Sequence, residues 1–204
     1  MPRAGLDPET VTEAAAGIVD AEGRTALTLA RLAVDLRVAP PSLYKHVAGL
    51  DDLILRVTTL SIRRLTDDLT AAAVGRSGRQ ALLAVAEAYR RFAIEHSGLY
   101  SLTQAALDSS STAQQAEATR AVEVFRAAIS GYGVPDDLSI HATRIVRAGL
   151  HGFADIETHG GFQMPHSVDE SFLMLIDALD ASLSKLGSPT GNPGSEEQWN
   201  GKPM

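Results

Sequence analysis

Residues 23–53 read GRTALTLARLAVDLRVAPPSLYKHVAGLDDL. The first half predicts a short helix. Thr28 stands as its N-cap, and Leu29, Leu32, Ala33 and Leu36 recur at i, i+3, i+4 and i+7, one face of an amphipathic helix. Pro40 and Pro41 then open a second helix, because the N–H groups they lack are not needed in a first turn. That second helix presents Ser42, Tyr44, Lys45 and His46 over little more than one turn: a hydroxyl, a phenol, a cation and an imidazole. Two short helices, a tight turn and this set of donors predict a helix-turn-helix suited to polyanion contact.

The run Leu32-Ala33-Val34-Asp35-Leu36-Arg37-Val38, followed by Leu43-Tyr44-Lys45-His46-Val47, resembles the DNA-binding domain of the TetR family of bacterial regulators. The resemblance covers about residues 6 to 65. It implies that Thr28, Arg31, Pro41, Ser42, Tyr44, Lys45 and His46 form the DNA-contacting set. Three positions depart from the family pattern. Arg37 stands where the family usually has Gly, so either a non-glycine residue turns left-handed, at about 1 kcal/mol, or the turn is built differently. Ala39 replaces the usual Ser cap, which forfeits roughly 1 kcal/mol. Leu50 stands where many members carry a Lys, so that phosphate contact is expected to be absent.

A net charge of −7 would oppose DNA binding if it were uniform. It is not. Residues 1–65 hold eight basic and eight acidic side chains, so the whole excess of negative charge lies beyond them. Within 24–64 seven basic residues face three acidic ones, which makes the local field over the motif positive. The 204-residue chain is 45% hydrophobic, enough for a sizeable core, and its lack of Cys excludes disulfides and thiolate chemistry. It has no long apolar run, so a soluble, cytoplasmic protein without a membrane partner is expected.

Periodicity and punctuation predict an all-α protein of about nine helices. Asp7 as N-cap, Pro8 at N1 and a Leu6/Val11 staple start helix one, which stops near Gly23. The fourth helix begins after Gly49, with Asp51 and Asp52 at its positive end, and runs to about Ala73. Further helices are expected from Leu82 to His96, Ser97 to Leu107, Ser111 to about Gly131, one capped by Asp136 or Asp137 and running to about Glu157, and Val168 to about Leu186. The expected organisation is a DNA-binding domain over 1–65, continuing into a connecting helix to about 73, then a ligand-binding and dimerisation domain over 66–186. Residues 187–204 have the composition of an unstructured tail.

A second signature, Arg144-Ile145-Val146-Arg147-Ala148-Gly149-Leu150-His151-Gly152-Phe153, is similar to the C-terminal domain of a TetR subgroup named for a Trp-His-Gly tripeptide, with Leu150 in the Trp position. Ala148, Gly149 and Gly152 make a smooth helical surface. The resemblance implies a homodimer seam of this helix and the last one, carried by Ala148, Gly149, His151, Gly152, Asp155, Phe172, Ile176, Leu179 and Leu183, with packing inside one subunit as the alternative. Tyr89, Phe92, His96, Tyr100, Gln104, Phe125, Arg144 and Arg147 are candidates to line a small-molecule effector cavity, since such sites are mostly apolar with few polar anchors. His151, Asp155 and His159 have a ligand-like spacing, but no Cys or second acidic cluster joins them, so no metal or cofactor is expected. No organised Ser/His/Asp or paired-carboxylate set appears, so no catalytic residue is assigned. These features point to a dimeric, effector-released repressor on operator DNA. A milder alternative is an activator. The alternative from another class, a helical binding protein or enzyme that has lost DNA binding, is left open by Arg37, Ala39 and Leu50.

Overall fold

In the computed structural model, which describes residues 6–104 and 108–188, the chain begins with its expected cap. Asp7 accepts a hydrogen bond from the Thr10 N–H at 2.7 Å, and Pro8 takes the first position of α1 (Pro8–Glu22). That N–H holds the Asp7 carboxyl below its ordinary pKa range. Gly23, at φ 82°, ends α1 in a conformation that a side chain resists. Thr28 caps α2 (Leu29–Asp35) by accepting from the Arg31 N–H at 3.1 Å. Pro40–Lys45 winds as a 3₁₀ turn, and α3 (Leu50–Ala73) follows.

Val11, Ala15, Val19, Leu32, Leu43, Val47, Leu53 and Val57 bury one another to form the core of this N-terminal head. Val11, Ala15, Val19 and Leu32 follow the helical periodicity of α1 and α2, and Leu43 anchors the 3₁₀ turn from beneath. The head therefore presents Tyr44 and Lys45 on a support fixed by side-chain packing.

The 24 residues of α3 span about 36 Å and leave the head altogether. Its C-terminal half packs on α4 (Gly78–Glu95) and α6 (Thr112–Ile129). Between those two, α5 (Ser97–Thr103) turns back against α1. Gly98 makes that approach possible: a Cβ built there would fall 1.9 Å from the Val19 carbonyl oxygen. The layer is completed by α7 (Asp136–Thr158) and α8 (Val168–Gly187), the latter capped by Ser167. The cap of α7 expected of Asp136 or Asp137 is not formed, because Pro135 holds the cap position without a side-chain hydrogen bond and both carboxylates fall in the first turn. Among the described residues there are eight α-helices, three 3₁₀ turns and no strand. The ninth expected helix is the Pro40–Lys45 segment. The helix expected to reach Leu107 stops at Thr103, and 105–107, like the tail from residue 189 with Trp199, lie outside the described residues.

Arg90 ties three helices together. Its guanidinium donates to Glu157 at 2.7 and 2.5 Å, pairs with Asp169 at 2.7 Å, and lies 4.8 Å from the Phe172 ring centroid. Only 16% of the Arg90 side chain and 17% of Glu157 reach solvent. In Arg90→Met the Glu157 carboxylate would keep its desolvation without its partner. A loss of about 2–3 kcal/mol is expected by urea denaturation, with much of it recovered in the double variant Arg90→Met/Glu157→Gln.

Candidate DNA interface and inner cavity

The turn between α2 and the 3₁₀ segment is made by Arg37 itself, at φ 55°. It is the one non-glycine residue with positive φ among those described. Of the two ways of building this turn, the left-handed residue is the one adopted. Ala39 caps the next segment without any side-chain hydrogen bond. The segment keeps the tight pitch over six residues, longer than such turns usually run, and the Ser42 N–H reaches the Ala39 carbonyl three residues back at 2.9 Å.

On this frame Tyr44 is 60% exposed, and Lys45 and Pro41 are exposed beside it. Ser42 and His46 are half-buried. The Thr28 hydroxyl is committed to its cap. Arg31 is engaged more fully, donating to Glu22 at 3.0 and 2.7 Å and to Asp35 at 3.1 and 3.2 Å. The Glu22 carboxylate, then Asp35, push its pKa up, while Glu22 is held below the usual carboxylate range. For Arg31 to meet a phosphate it must leave at least one of these partners. Leu50 packs partly buried against the core.

Behind the head, an inner cavity of about 110 Å³ opens among α3, α4, α5, α6 and α7. Tyr89, Gln104, Phe125 and Arg147 line it, as expected. Other expected residues do not. Phe92 is buried with its ring 5.1 Å from that of His96, and His96 Nδ1 lies 2.6 Å from the Asp20 carboxylate of α1. Arg144 is exposed and lines no part of the cavity. Tyr100 stands one bond behind the wall, its hydroxyl 3.2 Å from that of Tyr89 and 2.6 Å from His151 Nδ1. Burial raises both phenol pKa values, so the two rings act as neutral hydrogen-bonding groups. His151 and Asp155 face an open groove beside α1. No cluster of three metal-ligating side chains occurs among the described residues.

Sequence periodicity missed the α3 wall of Ile62, Leu65, Thr66 and Leu69, although Leu65 and Leu69 carry the i, i+4 signal of an inward face. Thr143, buried in α7, carried no such signal.

The seam residues divide. Phe172, Ile176, Leu179 and Leu183 are buried inside the chain's own core, and Gly149 faces Leu175 and Leu179 of α8 within the same subunit. This corrects the seam expected from the sequence, because an apolar helical stripe looks the same whether it packs within a subunit or between two. Ala148 and Asp155 are exposed, His151 and Gly152 half-buried, and a Cβ at Gly152 would meet nothing within 4 Å.

Residues 82–179 match the family model described as the tetracyclin repressor-like C-terminal domain. The chain is 32% identical to the uncharacterized HTH-type transcriptional regulator YobS of Bacillus subtilis, over 89% of this chain and 95% of that one. It is 34% identical to the uncharacterized HTH-type transcriptional regulator Rv0681 of Mycobacterium tuberculosis, over 77% and 72% respectively. The chain belongs to the TetR family. Among solved structures, BioQ with its double-stranded DNA operator superposes with a TM-score of 0.62 at 25% identity, over 87% of this chain and 99% of that one.

The α2-to-3₁₀ turn sets the angle of the Pro40–Lys45 segment, and the strain at Arg37 can be tested directly. Arg37→Gly should raise stability by up to about 1 kcal/mol, less the entropy that Gly restores to the unfolded chain. Chemical denaturation reads it; a clear loss of stability would mean that the Arg37 side chain contributes more than its backbone costs.

Proposed function

We propose that this TetR-family chain is a cytoplasmic, non-enzymatic repressor that binds a pseudo-palindromic operator as a homodimer and is released by a small molecule held in the inner cavity. The observation that carries it is the exposed Tyr44–Lys45 pair on a packed head, joined by an unbroken α3 to the cavity wall. The phenol and the ammonium supply base-edge and phosphate contacts, and Pro41 and Ser42 lie beside them, where a recognition segment enters the major groove. BioQ, which shares the fold, has been solved on operator DNA, and that supports the reading.

Two half-sites call for two heads held at fixed separation. The outer strip of α7 offers Ile145, Ala148, Gly152 and Ile156 at spacings of three and four, with Ile145 48% and Ile156 45% exposed. On α8, Met174 is 71% exposed and Ala178 and Ala181 are exposed with it. Apolar groups separated by small residues let two such helix pairs approach closely, and this strip replaces Phe172, Ile176, Leu179 and Leu183 as the proposed seam. Effector binding lowers operator affinity only if the ligand has different affinities for the operator-bound and free conformations.

A gel-shift titration on the DNA flanking the gene tests the whole reading. Retarded DNA with the wild type is expected, and its failure at low salt would favour a protein on this fold that no longer binds DNA. Tyr44→Ala and Lys45→Ala should each weaken binding without loss of helix content, with about 1–3 kcal/mol for a base-reading group. Lys45→Ala should also reduce the salt slope by about one unit. For the seam, Gly152→Leu places a branched side chain in the contact twice by symmetry, so sedimentation should show weaker dimerisation of a chain that stays folded.

A further inference from the structure

The inner cavity is chemically lopsided. Its α3 and α6 walls are mostly apolar, with Ile62, Leu65, Leu69, Val122 and Phe125, while polar residues line it from the other helices: Tyr89 on α4, Thr103 and Gln104 at α5, and Thr143 and Arg147 on α7. No carboxylate lines it.

Thr143 is 4% exposed, and its Oγ1 is buried without a hydrogen-bond partner. Other helical threonines in this chain return their hydroxyls to the carbonyl four residues back: Thr59 to Leu55, Thr66 to Ile62, Thr70 to Thr66. Thr143 does not, and a buried hydroxyl held unsatisfied is costly enough to call for a partner. One turn further along the same face of α7, Arg147 lines the same cavity. Arg147 is exposed and, like Arg24, Arg37, Arg63, Arg76, Arg91 and Arg144, enters no ion pair among the described residues; of these it is the one that lines the cavity. A neutral cavity wall thus ends in a free hydroxyl and a planar, permanently charged fork.

We propose that this cavity binds a small monocarboxylate, with its apolar body against α3 and α6 and its carboxylate between the Thr143 hydroxyl and the Arg147 guanidinium. Guanidinium N–H groups match a carboxylate in a bidentate fork, and Thr143 adds the third donor. An alcohol or amide would satisfy Thr143 but leave Arg147 without a counter-charge. A phosphate would bring more charge than one cation balances. The volume, about 110 Å³, is smaller than the roughly 150 Å³ of an apolar cavity that holds benzene, so the ligand's apolar body is smaller than a phenyl ring, a short aliphatic chain. This inference rests on reading the cavity as the effector site.

The test is calorimetric titration of the full chain, without DNA, using propionate and butyrate against butyramide and 1-butanol. Propionate or butyrate should bind at least about tenfold more tightly than the neutral probes, and Arg147→Gln should remove at least about tenfold of that affinity. Arg147→Lys, which keeps the charge but loses the fork, should fall between. Thr143→Val should weaken carboxylate binding severalfold while leaving or raising the thermal midpoint, since it removes an unsatisfied hydroxyl without changing its shape. Equal affinity for butyramide and butyrate, unchanged butyrate affinity in Arg147→Gln, or no carboxylate binding at millimolar concentration would each overturn the proposal. A separate gel shift distinguishes the two readings: carboxylate bound with operator affinity unchanged would sink the effector role and leave the site, whereas release by a neutral ligand alone would do the reverse.

Discussion

Both halves of the molecule are built on α3. Leu53 and Val57 near its start are buried with Val11, Leu32 and Leu43 of the head, whereas Leu65 and Leu69 near its end form part of the cavity wall. The roughly 18 Å between Leu53 and Leu65 contains no Pro or Gly, the usual sites of a kink. Buried hydroxyls along the way are satisfied within the helix, Ser61 on Val57 and Thr66 on Ile62. A rigid rod set in two cores cannot shift at one end without moving the other.

The head has a second attachment. The close approach of Gly98 to Val19 and the Asp20–His96 contact hold the end of α1 against α5. Gln104, just beyond α5, lines the cavity, and Thr103 lines it too. In the proposed mechanism a ligand therefore touches both fixings of the head, the α3 rod directly and the α1 clamp through α5. Coupling of this kind needs two discrete arrangements of packed elements, and two fixings of one head supply them more readily than a single rod, because the angle between rod and clamp can change while each stays intact.

The helix boundaries were legible because capping is local chemistry. Asp7 and Thr28 stand as the caps the sequence predicts, and Ser111 and Ser167, not named as caps there, also accept a hydrogen bond from the first turn, whereas the cap expected of Asp136 or Asp137 falls to Pro135. Pitch was less legible: Pro40 and Pro41 announce a start but not whether the turns that follow are α or 3₁₀. The inward face of α8 was correctly periodic, yet periodicity does not say whether Phe172 and Ile176 meet their own subunit or another. The cavity was half visible. Aromatic and charged side chains stand out in a sequence, which found Tyr89, Phe125 and Arg147, while Thr143, Ala118 and Ala121 look like ordinary helix filler. His96 was placed in the cavity because its partner lies 76 residues away on α1, and one sequence does not reveal such a pairing.

Counting charges also told less than placing them. Of the seven basic residues in 24–64, Arg31, Arg56 and Arg64 are held by Glu22 and Asp35, by Asp52, and by Glu13. Arg24, Arg37, Lys45 and Arg63 enter no ion pair among the described residues, and all four are exposed. With Leu50 in place of a phosphate-binding Lys, the head meets DNA with few free cations, while the negative excess beyond residue 65 repels the polyanion from the rest of the surface. In the proposed reading counterion release then contributes less, and the exposed Tyr44 and its neighbours supply a larger share of the affinity through contacts to base edges. On that reading weak nonspecific attraction favours discrimination between sequences. The same scarcity makes the bound state easy to undo, since a small change in head separation has only a few phosphate contacts to break.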